Sequence, residues 1–155
     1  MTSVAALCTD RGWSIWRGAA SLLGSMAQPI ELILVRHLAD RLAVPLFLVD
    51  TEGTMVFYNE AAEQVLGRRF DDAGEMTFET WTSVFSVRDP GGSLMGAEDH
   101  PLTRALRHGK PTHARLDMTG LDAQPRSLEV AAFPIDGHRG TRLGAVALFW
   151  ESTAE

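Results

Sequence analysis

Residues 44–70 read VPLFLVDTEGTMVFYNEAAEQVLGRRF, and this stretch decides the fold. Two short apolar runs enclose an acidic turn that begins at Asp50 and ends at Gly53. An aspartate side chain can bond to the backbone two residues further on, and glycine takes a positive φ without steric cost. The second run leads directly into Asn59, a residue type that caps helices by accepting hydrogen bonds from free N–H groups. The stretch therefore predicts a strand, a turn, a second strand and a short helix in immediate succession.

The remainder of the domain is irregular in its middle and β-rich at its end. Residues 68–109 are predicted to be irregular, apart from a short helix or strand over residues 81–87 and a helix between Pro101 and Gly109. The last of the later strands is apolar on both faces, which indicates either an interior strand or an edge hidden by a partner. The sequence thus predicts the α+β class with five strands, the last three forming an antiparallel meander at residues 112–118, 127–135 and 143–150.

An amphipathic helix is predicted before the opening stretch, over residues 31–42. Its apolar side chains recur every three or four residues, and further apolar residues widen this surface beyond one stripe. Such a helix needs two surfaces to cover it, its own domain and a second subunit, so a homodimer is expected. The residues assigned to the dimer interface are Leu34, Val35, Leu38 and Leu42.

The bulk composition limits the class of protein. The chain has 155 residues, 45% of them hydrophobic and 22% charged, which suits one folded domain with an arm at one end. Its net charge of −6 argues against nucleic acid and anionic lipid as partners. A single cysteine, Cys8, excludes an internal disulfide and favours the reducing cytoplasm. No apolar run approaches the roughly 18 residues of a membrane span.

Residues 1–29 form the predicted arm, which is rich in small residues and has no sustained apolar period. Two interpretations are open. In the first, apolar residues such as Trp13 and Trp16 dock on a partner or a membrane surface. In the second, the arm is ordered only by contact with the domain, or is an extension upstream of a translation start at Met26.

Three stretches, in this order along the chain, resemble the PAS family over about residues 30–151. The first resembles the family's opening hairpin with its helix cap, the second its glycine turn and Pro-Leu helix, and the third its closing hairpin. The stretches are LFLVDTEGTMVFYNEAAEQVLG at residues 46–67, DPGGSLMGAEDHPLTRALRHGKP at 89–111 and RSLEVAAFPIDGHRGTRLGAVALFWES at 126–152.

This resemblance implies a five-stranded antiparallel sheet with helices over one face and an N-terminal flanking helix that commonly mediates dimerisation. It also implies sensing of a small molecule, light or redox state, often with a ligand cavity.

We expect the domain over residues 30–151 and a tail over residues 152–155. Many members carry Asp-x-Thr after the last strand, which couples them to an output domain, whereas this chain has Glu151-Ser152-Thr153 and then ends at Glu155. A stand-alone module that regulates a signalling protein in trans is therefore expected.

The sequence offers little for cofactor or catalytic chemistry. A flavin–cysteine adduct needs a thiol inside the domain, whereas Cys8 lies in the arm; flavin held without a covalent bond stays open. His100 and His108 are weak candidates for a haem ligand, because some PAS members place the axial histidine on this helix. Both also suit a helix-capping or solvent-facing position. No nucleophile elbow or phosphate loop is present, so no enzyme is expected.

An apolar cavity between helix and sheet is the expected binding site for a small apolar or planar ligand. Small side chains and an adaptable methionine leave room for a ligand, whereas a solid core is the competing interpretation. Two functions are open: a sensory module that binds a ligand, and a ligand-independent dimerisation adaptor. The residues expected to line the cavity are Leu102, Leu106, Leu116, Met118, Val130, Ala132 and Phe149.

Overall fold

The computed structural model describes residues 29–153, which combine one five-stranded sheet with five α-helices. The helices are α1 (Ile30–Ala39), α2 (Glu60–Leu66), α3 (Phe70–Ala73), α4 (Phe78–Val84) and α5 (Pro101–His108). The strands are β1 (Leu46–Val49), β2 (Met55–Tyr58), β3 (Thr112–Thr119), β4 (Pro125–Asp136) and β5 (Arg142–Glu151). The predicted arm, apart from Pro29, and the last two residues of the predicted tail lie outside the described residues.

The sheet has the strand order β2-β1-β5-β4-β3, and all four neighbouring pairs are antiparallel. Strand β5 lies at its centre, between β1 and β4. This position confirms the interior-strand alternative, and it explains why β5 is apolar on both faces: each face of a central strand is covered. The predicted five-stranded antiparallel sheet of the α+β class is confirmed.

The β1–β2 turn is closed by the carboxylate of Asp50. Its Oδ1 accepts hydrogen bonds from the backbone N–H of Glu52 at 2.8 Å and of Thr54 at 3.0 Å. Gly53 takes a φ of 83°, a left-handed conformation that costs a glycine nothing. The short turn returns the chain along β1 and delivers it into helix α2 at Asn59.

The side chain of Asn59 forms hydrogen bonds with three segments: the start of α2, the start of β1 and the end of α1 with the turn after it. Its Oδ1 accepts from the N–H of Ala62 in the first turn of α2 and from the N–H of Leu46 at the start of β1, both at 3.0 Å. Its Nδ2 donates to the carbonyl oxygens of Ala39 and Leu42, at 3.0 and 3.2 Å. Because the chain bends to bring both carbonyls to one amide, helix α1 ends at Ala39 and does not reach residue 42 as predicted.

The two faces of the sheet carry two separate apolar cores. On the first face, helices α2, α4 and α5 cover Phe47 and Val49 of β1 in the inner cluster, which holds the largest buried side chains. Alternate residues of a strand point to opposite faces, so Leu46 and Leu48 of β1 belong to the second face. There they form an outer cluster beneath helix α1, whose buried members are Leu32, Ala39, Leu46, Leu48, Phe57 and Ile135.

The middle region is more helical than predicted and also covers the sheet edges. Thr77 caps α4 through its side chain, which accepts from the N–H of Thr80. The chain then pairs with the outer edge of β3, where Arg88 and Asp117 exchange hydrogen bonds of 2.7 and 2.9 Å. At the opposite edge of the sheet, Met76 pairs with Met55 of β2.

Candidate functional site

A small apolar cavity of about 30 Å³ lies in the inner cluster, between the sheet and helix α4. All five strands contribute to its wall, and the rest comes from α2, α4 and the segments that flank α4 and α5. Apart from one histidine, the lining is aliphatic or aromatic. The lining residues are Phe47, Met55, Leu66, Trp81, Phe85, Val87, His100, Leu116, Met118, Leu128, Val130 and Phe149.

The structure brings together only some of the residues expected to line the cavity. Leu116, Met118, Val130 and Phe149 of the sheet lie in the wall. Leu102 and Ala132 are buried in the inner cluster without lining the cavity, and Leu106 is half-buried beside an open surface groove of about 300 Å³. Four of the five predicted sheet residues thus lie in the cavity wall, whereas the two predicted on α5 do not.

The helical side of the wall comes from α4 and the segment after it. Trp81 lies on α4, and Phe85 and Val87 follow it. Ser86 takes a φ of 44° between them. A positive φ is uncommon for a residue other than glycine, and both neighbours of Ser86 line the cavity. These three large apolar residues, in the segment predicted to be a short helix or strand, were the sequence signal for this wall.

Trp81 ties the cavity wall to the β1–β2 turn. Its indole N–H donates to the carbonyl oxygen of Gly53 at 3.0 Å, and this hydrogen bond is buried. A Cβ atom at Gly53 would lie 3.3 Å from the ring of Phe78, so the turn and helix α4 approach closely there. Displacement of α4 would therefore be transmitted to the tip of the hairpin.

His100, directly before α5, is a buried part of the wall. Its side chain is 3% exposed, and its ring packs edge-on against Trp81 with centroids 4.8 Å apart. Burial lowers the pKa of His100 to about 4, so the imidazole is neutral at pH 7. The expectation that it caps the helix or faces solvent is wrong, because it makes no capping hydrogen bond and is enclosed by aromatic rings. His108, in the last turn of α5, is exposed.

Helix α5 is held to the sheet by Arg142 of β5. The guanidinium group donates to the carbonyl oxygen of Ala105 at 3.2 Å and to that of Leu106, and it forms an ion pair with Asp136. The carbonyl oxygen of Ala105 also accepts from the N–H of Gly109 at 3.0 Å. The last carbonyl groups of a helix in general lack intrahelical partners, and a cation there interacts favourably with the helix dipole. Arg142 thus couples the end of α5 to strands β4 and β5.

Haem and flavin do not fit the cavity in this conformation. Pockets for ligands of drug size occupy about 300–1,000 Å³, at least ten times the 30 Å³ found here. Within residues 29–153, no group of three or more His, Cys, Asp or Glu side chains is placed to hold a metal ion. Nor does any helix in this range have the length and apolar character needed to cross a membrane.

The residues assigned to a dimer interface lie on or just after helix α1. Leu34 and Leu38 expose 60% and 59% of their surface, and Leu42 is exposed in the turn that follows. Val35 instead is half-buried and packs on the outer cluster. The helix therefore covers one face of the sheet and presents an apolar surface to its surroundings.

Comparison with known proteins gives a consistent result. A family model described as the PAS fold matches residues 39–155. The chain is similar to the PAS domain of Bordetella pertussis BvgS, at 24% identity and a TM-score of 0.60, over 79% of this chain and 87% of that chain. It is similar to a PAS domain from Colwellia psychrerythraea, at 16% identity and a TM-score of 0.56, over 79% and 97%. The fungal blue-light photoreceptor Vivid, in its light-state dimer, is similar at 12% identity and a TM-score of 0.54, over 70% and 78%. No curated protein matches the sequence.

Proposed function

Because the chain belongs to the PAS family, we propose that it is a sensor whose cavity binds a small, largely apolar ligand and so regulates a separate signalling protein in the cytoplasm. PAS domains are sensory modules and not enzymes, in agreement with the expectation from the sequence. The observation that carries the proposal is the enclosed apolar cavity in the inner cluster.

The size and lining of the cavity define what it accepts. About 30 Å³ leaves room for roughly two water-sized groups, so a larger ligand must widen the space. Met55 and Met118 lie in the wall, and methionine is unbranched and repacks readily. The same wall includes Trp81 of α4, so widening also pushes helix against sheet.

Two links favour transmission from the cavity to the surface. The hydrogen bond from Trp81 to Gly53 joins α4 to the hairpin tip, and Arg142 joins α5 to β5. A ligand that repacks the wall would shift these links together, since packed cores change between discrete arrangements. The partner would read the changed surface, and its preference for the bound form sets the size of the response.

A cavity-filling variant tests the proposal. Val130→Ile adds one methyl group to the wall, which fills about half of the available space. It should therefore reduce the rise in melting temperature that a metabolite produces with the wild type. Its own stability should change by no more than about 1 kcal/mol, since the added group enters empty space. Val56→Ile is the matched control, because Val56 packs on the outer cluster. An unchanged ligand response in Val130→Ile, or no response from the wild type to any metabolite, would count against ligand binding.

A dimerising adaptor is the second candidate, favoured by the exposed apolar surface of α1. Leu34 and Leu38 are well exposed on one helix, and a second copy of the chain would bury them. The related photoreceptor Vivid, described as a light-state dimer, supports this reading. Leu34→Glu with Leu38→Glu should convert a dimer to a monomer in analytical ultracentrifugation. Leu94→Glu, at a leucine that is 67% exposed between α4 and α5, should not. A monomeric wild type at 100 μM would contradict the adaptor.

A further inference from the structure

Nδ1 of His100 is a buried polar atom without a hydrogen-bond partner in the described part of the chain. More than nine in ten buried polar groups are paired, and leaving one unpaired is costly. The same ring is part of the cavity wall, although this nitrogen is covered, so a ligand reaches it only by widening the cavity. We propose that the ligand of this cavity is a small amphipathic molecule, an aromatic body carrying one hydroxyl group, whose hydroxyl pairs with His100. The inference rests on the proposed function and names the chemical class of the ligand.

A water molecule does not satisfy this nitrogen well. The cavity has the volume for water, but a buried water typically makes two to four hydrogen bonds. Apart from Nε2 of the same imidazole, the polar side-chain group among the lining residues is the indole N–H of Trp81, which already donates to Gly53. A molecule with one polar group and an apolar remainder matches the wall better than a molecule that is polar throughout.

The absence of charged side chains from the cavity wall excludes ionic ligands. No lysine, arginine, aspartate or glutamate lines the cavity, so a buried carboxylate, phosphate or ammonium group would stand without a counter-ion. His100 itself is neutral at pH 7 because burial holds its pKa at about 4. A neutral imidazole nitrogen either accepts or donates, depending on the tautomer. A hydroxyl group does both, so it pairs with either tautomer.

The rings around His100 favour an aromatic body. Phe47 lies 5.4 Å from Phe149 and 6.0 Å from Trp81, measured between ring centroids, and Trp81 lies 4.8 Å from the imidazole. All four rings line the cavity. Aromatic rings attract one another at such separations in tilted or edge-to-face geometry. These rings already contact one another, so a planar ring that widens the cavity would find aromatic partners on several sides.

Phenol and benzene test this inference, since they share a ring and differ by one hydroxyl group. Each is titrated into the full-length protein by isothermal titration calorimetry, and the ¹⁵N shift of His100 Nδ1 is followed by NMR. Phenol should bind roughly 3- to 10-fold more tightly than benzene, as one neutral hydrogen bond provides. Phenol alone should move the Nδ1 resonance.

Two variants assign the preference to the histidine. His100→Phe should lower the affinity for phenol to that for benzene while leaving benzene binding nearly unchanged. His100→Asn keeps a polar atom close to the position of Nδ1, so part of the preference should return. Circular dichroism verifies that both variants are folded, and either one alone suffices for the comparison.

The outcomes separate this inference from the proposed function. Equal binding of benzene and phenol, unaffected by His100→Phe, overturns the role of His100 while ligand binding in the cavity stands. Binding of neither probe to the wild type overturns both. A crystal structure from a phenol-containing solution that shows only a water on Nδ1 also overturns the inference.

Discussion

Replacing Asn59 by aspartate separates the two contributions of its side chain. Asparagine and aspartate cap helices about equally well, so Asn59→Asp keeps the acceptor for the N–H groups of Ala62 and Leu46. It removes the amide donors, however, which serve Ala39, Leu42 and Val44. The substitution thus tests whether Asn59 acts as a helix cap alone or as a clamp on three segments.

The size of the effect follows from burial. Asn59 is 2% exposed, and its Nδ2 carries two hydrogens, whose loss costs about 2 kcal/mol at roughly 1 kcal/mol each. A carboxylate against buried carbonyl oxygens adds at least about 2 kcal/mol. We therefore expect Asn59→Asp to lower the free energy of unfolding by about 4 kcal/mol at pH 7. Asn59→Ala should lower the free energy of unfolding by about as much, because it removes the helix cap and leaves the N–H of Leu46 without a hydrogen-bond partner.

Urea denaturation followed by circular dichroism measures the effect. With a slope of about 2 kcal/mol per molar urea, the midpoint should fall by about 2 M. The penalty should shrink as the pH falls, because a protonated aspartic acid regains a donor and loses its charge. If Asn59→Asp stays within 1 kcal/mol of the wild type while Asn59→Ala is strongly destabilised, the residue is only a helix cap and the clamp is refuted.

Three further changes test other parts of the structure. In the folded protein the pKa of His100 is lowered to about 4, whereas in the unfolded chain it is about 6.5. Between these two pH values only the unfolded chain binds the proton, so the free energy of unfolding should fall as the pH falls. The total loss should reach about 3 kcal/mol once the pH is below 4. The urea midpoint of His100→Phe should lack this part of the pH dependence. If the midpoints of the variant and the wild type changed in parallel with pH, the assignment to His100 would be contradicted. Gly67→Ala should lower thermal stability by more than about 2 kcal/mol, because φ is 79° and a Cβ would lie 2.7 Å from the backbone nitrogen of Asp122. Gly140→Ala, with a φ of 73° and open space around it, should cost only about 1 kcal/mol, and equal losses would refute the clash. Arg142→Met should cost about 2 kcal/mol in urea denaturation by removing the hydrogen bonds to the end of α5, and an unchanged midpoint would show that α5 is held by packing alone.

The elements that were predictable from the sequence depend on local chemistry. Asp50 and Gly53 form their turn from bonds within five residues, and Gly109 ends α5 in the left-handed conformation that favours glycine. Strand β5 was identified as interior because both of its faces are apolar, a property that burial on two sides imposes. Such signals are short-range or averaged over a strand, so a single sequence contains them.

The helical wall of the cavity depends on contacts that sequence spacing does not contain. His100 precedes a proline at a helix start, which is typical of an exposed cap, yet Trp81 and Phe78 of a different helix enclose it. Leu102 and Leu106 share one apolar face of α5, but periodicity cannot tell which flank of that face meets a void. The volume left among twelve side chains is a small difference between large packed volumes, and it appears only in three dimensions.

The paired edges of the sheet restrict how this domain can associate. Met76 occupies part of the β2 edge, and Arg88 occupies the end of β3 that carries Asp117. The exposed side chains along the rest of β3 include His113 and Arg115, polar groups of the kind that deter an incoming strand. Growth of the sheet across molecules, the route to fibrils and to strand exchange, is therefore discouraged at both ends. Recognition is left to side-chain surfaces, where single substitutions can tune or abolish it without disturbing the β-sheet.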